Sequence, residues 1–163
     1  MDTLTTPGVA PGRSIGDASF EAPRAVTARA VDVRAMLRDA GLRPTRQRVA
    51  LAGLLYGKGN RHISAELLHE EAQAARVPVS LATIYNTLHQ FTEAGLLREL
   101  LIDGAKTYFD TNVSEHHHYF VEGDDLVMDI PGTNVSLTDL PEPPEGMEIV
   151  RVDVVVRLRP KQR

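Results

Sequence analysis

Cysteine is absent from the 163-residue chain. Its absence excludes disulfides, thiolate catalysis and zinc sites built from cysteine, and it fits a reducing cytoplasm. No apolar run approaches the length of about 18 residues that a membrane-spanning helix needs. The chain also does not open with a basic segment followed by an apolar one, so secretion is not expected and the predicted location is the cytoplasm.

The charge of the chain is unevenly distributed. Residues 31–109 carry ten Lys/Arg and eight Asp/Glu, whereas residues 110–163 carry five Lys/Arg and eleven Asp/Glu. A slightly basic segment followed by an acidic one indicates two modules with different partners. We therefore predict a flexible tail over 1–30, a DNA-binding domain over 31–110, and a dimerisation and sensing domain over 111–163.

Helical periodicity begins at Val31 and predicts four helices. Thr45, Ser64 and Ser80 are suited to cap the second, third and fourth helices at their N-termini, and Gly41 and Gly95 to end the first and the fourth. Strand-like runs over 96–102 and 105–109 then flank Asp-Gly, which is typical of a two-residue hairpin turn. Helices closed by a hairpin have the order of a winged helix.

The sequence pattern of the C-terminal part predicts a small sheet. Short strands are predicted over 119–121 and 126–130, and a longer one over 149–159, with apolar side chains at alternate positions from Val150 to Leu158. A three-stranded unit of this size is not secure alone, so we predict a homodimer. The predicted fold class is α/β, a winged-helix domain followed by a small α/β dimerisation domain.

The third and fourth helices form a helix-turn-helix candidate. The first turns of the fourth helix would present Thr83, Tyr85 and Asn86 to the major groove of double-stranded DNA, where asparagine can bond adenine through two hydrogen bonds. These side chains would equally suit the surface or edge of an ordinary amphipathic helix. Two hairpin residues, Arg98 and Lys106, could reach phosphates, or could be solvated charges.

Half of the six histidines stand together as His116, His117 and His118. Imidazole is a common metal ligand, and carboxylates such as Asp110 and Asp129 could complete a site. Strand alternation would send His117 to one side and its two neighbours to the other. A polar loop without a ligand is the alternative. Hydrolytic motifs such as HExxH and Gly-x-Ser-x-Gly are absent, so an enzyme is not expected.

Four segments, in order, resemble the ferric uptake regulator family of bacterial repressors: LRDAGLRPTRQRVALAGLL, HISAELLHEEA, SLATIYNTLHQFTEAGLL and EHHHYF. The resemblance covers roughly residues 31–130. It implies a recognition helix over 81–94, with Tyr85 at the base-contacting tyrosine and Arg43 at a residue that reaches the minor groove. Asn86 stands where the family usually has arginine, so a different operator is expected.

The resemblance also implies two metal sites. One matches His62, Asp110 and His117, with Tyr119 in place of the family's last ligand. The other matches His116, His118 and Asp129, with its remaining histidine replaced near Val152. Glu122 and Asp125 stand where the family has its structural Cys-x-x-Cys.

The histidine triplet and the missing cysteines are similar to the iron response regulators, a haem-responsive branch of the family. This similarity implies a regulator of iron and haem genes that binds haem through His116, His117 and His118, with ferrochelatase as a possible partner. The alternative is a repressor that senses Fe(II), Mn(II) or Zn(II) at His62, Asp110 and His117. A third class is a protein-interaction module or enzyme that uses the winged helix without DNA.

Overall fold

The computed structural model describes residues 31–102, 106–132 and 135–161. The predicted tail over 1–30 and the Asp103-Gly104 turn lie outside these ranges. The N-terminal half of the described chain contains four helices, α1 (Val33–Asp39), α2 (Arg46–Tyr56), α3 (Ala65–Ala74) and α4 (Leu81–Glu93), with one short strand between α2 and α3. None of the helices in the described ranges is both long and apolar enough to cross a membrane.

Side-chain caps fix where the helices begin. Thr45, Ser64 and Ser80 accept hydrogen bonds from backbone N–H groups in the first turns of α2, α3 and α4, as predicted. Asp32 caps α1 in the same way. Each cap satisfies a donor that the helix cannot satisfy itself, so the helix boundaries are encoded locally.

Two three-stranded sheets complete the fold. The first contains β1 (His62–Ser64), β2 (Arg98–Leu101) and β3 (Thr107–Asp110), and β3 pairs antiparallel with both neighbours. The second contains β4 (His118–Val121), β5 (Leu126–Asp129) and β6 (Val155–Leu158); β4 pairs antiparallel with β5 and parallel with β6. The mixed α/β class is confirmed.

The predicted strand over 149–159 is wrong in length, and its apolar face holds only in part: Val152 and Val154 are half-buried, but Val150 and Val156 are exposed. Only Val155–Leu158 forms a strand, because its single partner β4 is itself four residues long. Val150, predicted to be on the buried face, is 84% exposed. Val155, predicted for the opposite face, packs against the second hydrophobic cluster.

The hydrophobic side chains form two clusters. The first lies among the helices and includes Leu55, Phe91 and Phe109, all fully buried. The second cluster lies between the two sheets. It contains Leu100, Ile102 and Tyr108 from in or beside the first sheet, and Phe120 and Val127 from the second sheet. The domain boundary predicted at 110/111 stays a prediction, and the two sheets on either side of it share apolar contacts.

Helices α3 and α4 end in the same backbone conformation with different residues. Gly95 follows α4 with φ +74°, and Leu96 N–H then donates to Phe91 O at 2.8 Å. Arg76 follows α3 with φ +57°, and Val77 N–H donates to Ala72 O at 2.8 Å. The left-handed conformation suits glycine and strains arginine.

We expect Arg76→Gly to raise the free energy of unfolding by about 0.5–1 kcal/mol, because relief of backbone strain exceeds the entropy that glycine adds to the unfolded chain. The matched change Gly95→Ala should lower the free energy of unfolding by about 1 kcal/mol, since a Cβ there meets no atom within 4 Å and only the backbone is strained. Urea unfolding followed by circular dichroism measures both. A destabilising Arg76→Gly would contradict this account of the helix ends.

Candidate metal centre

Each sheet contributes one cross-strand pair of polar residues at the same junction. His62 begins β1 and lies opposite Asp110, the last residue of β3. His118 begins β4 and lies opposite Asp129, the last residue of β5. Directly opposed side chains on one face of a sheet are close neighbours. The two pairs meet where the sheets adjoin.

His116 completes the group, two residues before His118. Alternation along an extended chain sends these two imidazoles to the same side, and their ring centroids are 4.5 Å apart. One potential ligand atom from each of the five residues lies within 4.8 Å of all the others. We call this set the junction cluster: His62, Asp110, His116, His118 and Asp129.

The cluster is largely shielded from solvent. The Asp110 and His118 side chains are 0% and 1% exposed, and those of His62 and His116 are 12% and 11% exposed. Asp129 is 37% exposed and lies toward the solvent side. A site that is buried on most sides and open at one carboxylate can exclude bulk water and still admit a small ion.

Three buried polar atoms in the cluster have no hydrogen-bond partner within the described part of the chain: His62 Nε2, His116 Nε2 and Asp129 Oδ1. They are nevertheless close to other ligand atoms, with His62 Nε2 2.9 Å from Asp129 Oδ1 and His116 Nε2 2.8 Å from Asp110 Oδ2. Close approach without hydrogen-bond geometry is the arrangement expected of atoms that face a shared cation. The residues present therefore fit a metal ion.

Neighbouring groups hold the ligands in suitable states. His116 Nδ1 lies 2.7 Å from Ser114 O, and because a carbonyl only accepts, Nδ1 carries the proton and Nε2 is left to coordinate. Asp110 Oδ1 accepts from Asn112 N–H at 2.8 Å, which leaves Oδ2 facing the imidazoles.

The buried carboxyl of Asp110 is also held ionised. Burial raises the pKa of Asp110. The opposing effect is larger, because hydrogen bonds from the His118 and His62 imidazoles and from Asn112 N–H lower the pKa to well below its ordinary value. At neutral pH this residue therefore supplies a negative charge to the cluster.

The donor set limits the kind of ion. Three imidazole nitrogens and two carboxylate groups suit borderline divalent ions such as Fe(II), Mn(II) and Zn(II), and two negative charges match a divalent cation. Five protein donors exceed the four of a closed tetrahedral structural zinc site.

His116 and His118 lie on one side and His117 on the other, as strand alternation predicts, but the partners that the resemblance implied for each side are different in the structure. His62 and Asp110 were expected to join His117, but they lie with His116 and His118. His117 points elsewhere, and its Nδ1 is 3.4 Å from Val154 N. The pairing of His118 with Asp129 fixes which side each histidine takes, and sequence alternation alone could not supply that register.

Two other sequence expectations at this junction change. Tyr119, matched to a last ligand, lies opposite Met128 on β5 and outside the cluster. Arg98, expected either to reach phosphates or to be a solvated charge, is only 6% exposed and forms an ion pair with Asp153. The sequence offered no sign that this arginine is buried, since its strand neighbours are a mixture of polar and apolar residues.

The predicted DNA-contacting residues lie on and beside α4. Asn86 and Arg43 are exposed, and Thr83 is half-buried. Thr83 and Asn86 line a pocket of about 240 Å³ with Thr45, Gln47 and Arg48 from the start of α2. The Tyr85 hydroxyl donates to Glu66 on α3.

The sequence profile of the ferric uptake regulator family matches residues 39–139, more than half of the chain. The chain belongs to the ferric uptake regulator family. It is 35% identical over 85 residues to the ferric uptake regulation protein of Legionella pneumophila and 32% identical over 90 residues to that of Shigella flexneri. These alignments cover 52% and 55% of this chain, and 62% and 61% of the relatives' own lengths.

Solved structures of ferric uptake regulators share the fold. The regulator from Pseudomonas aeruginosa, solved with manganese, is 27% identical and superposes with a TM-score of 0.61, covering 81% of this chain and 100% of that one. The Vibrio cholerae regulator superposes with a TM-score of 0.62 at 24% identity, covering 78% and 99%, and this supports the fold alone.

We expect His116→Ala to weaken Mn(II) binding by about 100-fold, because it removes one donor from the junction cluster. His117→Ala, its sequence neighbour, should leave the affinity within about twofold, since it changes the same residue type outside the cluster. Titration of Mn(II) followed by electron paramagnetic resonance counts the free ion. An equal loss in both variants would contradict the assignment of the ligands.

Proposed function

We propose that this ferric uptake regulator family member is a DNA-binding transcription regulator that responds to a divalent ion, Fe(II), Mn(II) or Zn(II), at the junction cluster. One observation carries the proposal: donors from both sheets converge within 4.8 Å. This is a binding and sensing function, and no chemical conversion is part of it.

The proposed ligands come from two parts of the chain. His62 and Asp110 belong to the first sheet, whose strand β1 lies between α2 and α3, whereas His116, His118 and Asp129 belong to the β4–β5 part. A bound ion supplies positive charge that offsets both carboxylates and favours the arrangement in which the two sheets adjoin. Because ion binding then depends on how the sheets are placed, the ion can bias the position of the helices.

The proposed DNA surface is the exposed side of α4 with the start of α2. Asn86 is positioned to read a base edge, and Arg43 to contact phosphate or the minor groove. Thr83 and Tyr85 flank Asn86, and the bond from Tyr85 to Glu66 orients the tyrosine ring. The helix order α3–α4 followed by the β2–β3 pair supports a winged helix in this role.

The geometry favours an ion over haem as the regulatory ligand. A porphyrin fills four positions around its iron and leaves two axial ones, so it could use at most two of five converging donors. His117, one of the three histidines predicted to bind haem, lies apart from the other two. Haem binding at His116, His117 and His118 and the link to ferrochelatase stay predictions from the resemblance to iron response regulators.

We also propose that the regulator is a homodimer. The residues before β6 expose large apolar side chains, with Met147 69%, Ile149 48% and Val150 84% exposed. Leu137 and Leu140 add to this apolar surface. Burial of such a surface against a second copy would stabilise the small second sheet.

The test measures binding to genomic DNA fragments that the metal-loaded protein enriches. We expect chelator treatment to abolish specific binding, measured by fluorescence anisotropy, and one of Fe(II), Mn(II) or Zn(II) to restore it. The Asp129→Asn variant should need a metal concentration at least about tenfold higher for the same DNA binding, because it lacks one charged donor. Specific DNA binding that does not depend on metal but changes with haem would contradict the proposal.

Two control variants separate sensing from DNA reading. Asp124→Asn changes an exposed carboxylate in the turn between β4 and β5, outside the junction cluster, and should behave as the wild type. Arg43→Ala should lower the affinity for all DNA sequences and reduce the salt dependence, while the metal requirement is unchanged.

A further inference from the structure

Arg98 is a buried arginine beside the junction cluster that is not one of its members. It begins β2 and lies opposite Asp110 in the strand register, and it is 6% exposed. A guanidinium buried to this extent is costly unless its N–H groups are bonded to polar partners. Its partners therefore indicate what it does.

The first partner is a carbonyl that also serves a metal ligand. Arg98 Nη1 donates to Ser114 O at 2.9 Å, and the same oxygen accepts from His116 Nδ1 at 2.7 Å. The Ser114 carbonyl thus joins the guanidinium to the imidazole. With Ser114 O fixed by Arg98, His116 keeps its proton on Nδ1 and directs Nε2 into the cluster.

The loop that carries Ser114 is also bonded to Arg61, through Thr111, and to the cluster, through Asn112. Asn112 Oδ1 accepts from Ser114 N–H at 3.2 Å and from its hydroxyl at 2.6 Å. Asn112 N–H in turn donates to Asp110 Oδ1. The loop between β3 and β4 is therefore held from one end by the ligand Asp110 and from the side by Arg98.

The second partner connects Arg98 to the residues before β6. Arg98 Nη2 pairs with Asp153, and Arg151 Nε also bonds both Asp153 oxygens, at 2.8 and 2.7 Å. One guanidinium thus spans β2, the loop that orients His116 and the segment that leads into β6. A lysine has one nitrogen and cannot reproduce this planar, two-partner geometry.

We infer that Arg98 is a positioning residue for the junction cluster: through Ser114 O it sets the tautomer and orientation of His116, and through Asp153 it makes that orientation depend on the segment before β6. The inference rests on the proposed metal-sensing function. It assigns Arg98 a role in ion binding that is separate from contact with the ion and from contact with DNA.

A purely structural role is the competing explanation, and Arg157 provides the matched control. Arg157 also joins the two sheets, through Ile102 O, Glu122 and the Phe120 ring, but it does not contact the loop that carries Ser114. If Arg98 acts only by holding the sheets together, then removing either arginine should affect the cluster to a similar degree.

The experiment compares Arg98→Met, Arg98→Lys and Asp153→Asn with Arg157→Met in the full chain. We expect Mn(II) affinity to fall about 10- to 100-fold in Arg98→Met, with smaller losses in Arg98→Lys and Asp153→Asn, and to change less than threefold in Arg157→Met. Urea unfolding of the metal-free variants identifies any loss of fold. If Arg98→Met does not fold, the same comparison is made with the other variants: Arg98→Lys and Asp153→Asn are compared with Arg157→Met.

Imidazole nitrogen NMR of the metal-free protein provides a readout that does not depend on metal. The wild type should show His116 protonated on Nδ1, and the Arg98 variants should show a mixture of tautomers, while Arg157→Met keeps the wild-type spectrum. Equal losses of Mn(II) affinity in the Arg98 and Arg157 variants, or an unchanged His116 tautomer, would overturn the inference. A wild type that binds no Mn(II), Fe(II) or Zn(II) would instead overturn the proposed function.

Discussion

The carboxylate of Asp110 is fully buried at the junction of the two sheets, and the surrounding polar structure offsets the cost of burying its charge. One oxygen is bonded by Asn112 N–H, and the other faces the imidazoles of His62, His116 and His118. A second carboxylate, Asp129, lies within reach of the same imidazoles. Two carboxylates and three imidazoles converge here, a donor set that suits a divalent ion.

The junction cluster connects the helical part of the chain to the second sheet. Asp110 is the last residue of β3 and pairs with His62. His62 lies two residues before Ser64, the N-cap of α3. The other ligands lie on β4, β5 and the loop before them. An apolar cluster between the sheets and the arginines Arg98 and Arg157 support the same arrangement. The proposed metal site therefore draws its ligands from both the helical part of the chain and the second sheet.

Much of this structure follows from local sequence signals. The capping residues Thr45, Ser64 and Ser80 defined the helix starts because a hydroxyl that bonds the first turn acts within three residues. All five cluster residues could be named from residue type and resemblance. Alternation also separated His117 from its two neighbours, but it could not show that His62 and Asp110 join His116 and His118, because that grouping depends on how the two sheets adjoin.

Features set by distant partners were harder to predict. β6 is short because its partner β4 is short, although the alternating valines before it suggested a longer strand. Arg98 was expected to contact phosphate or to be a solvated charge, and neither expectation included burial, because its partner Asp153 is 55 residues away in the chain.

Anomalous diffraction from crystals of the Mn(II)-loaded protein tests the central claim most directly. We predict one peak per chain among His62, Asp110, His116, His118 and Asp129; a peak at His117, or one bound by residues of a single sheet, would contradict it.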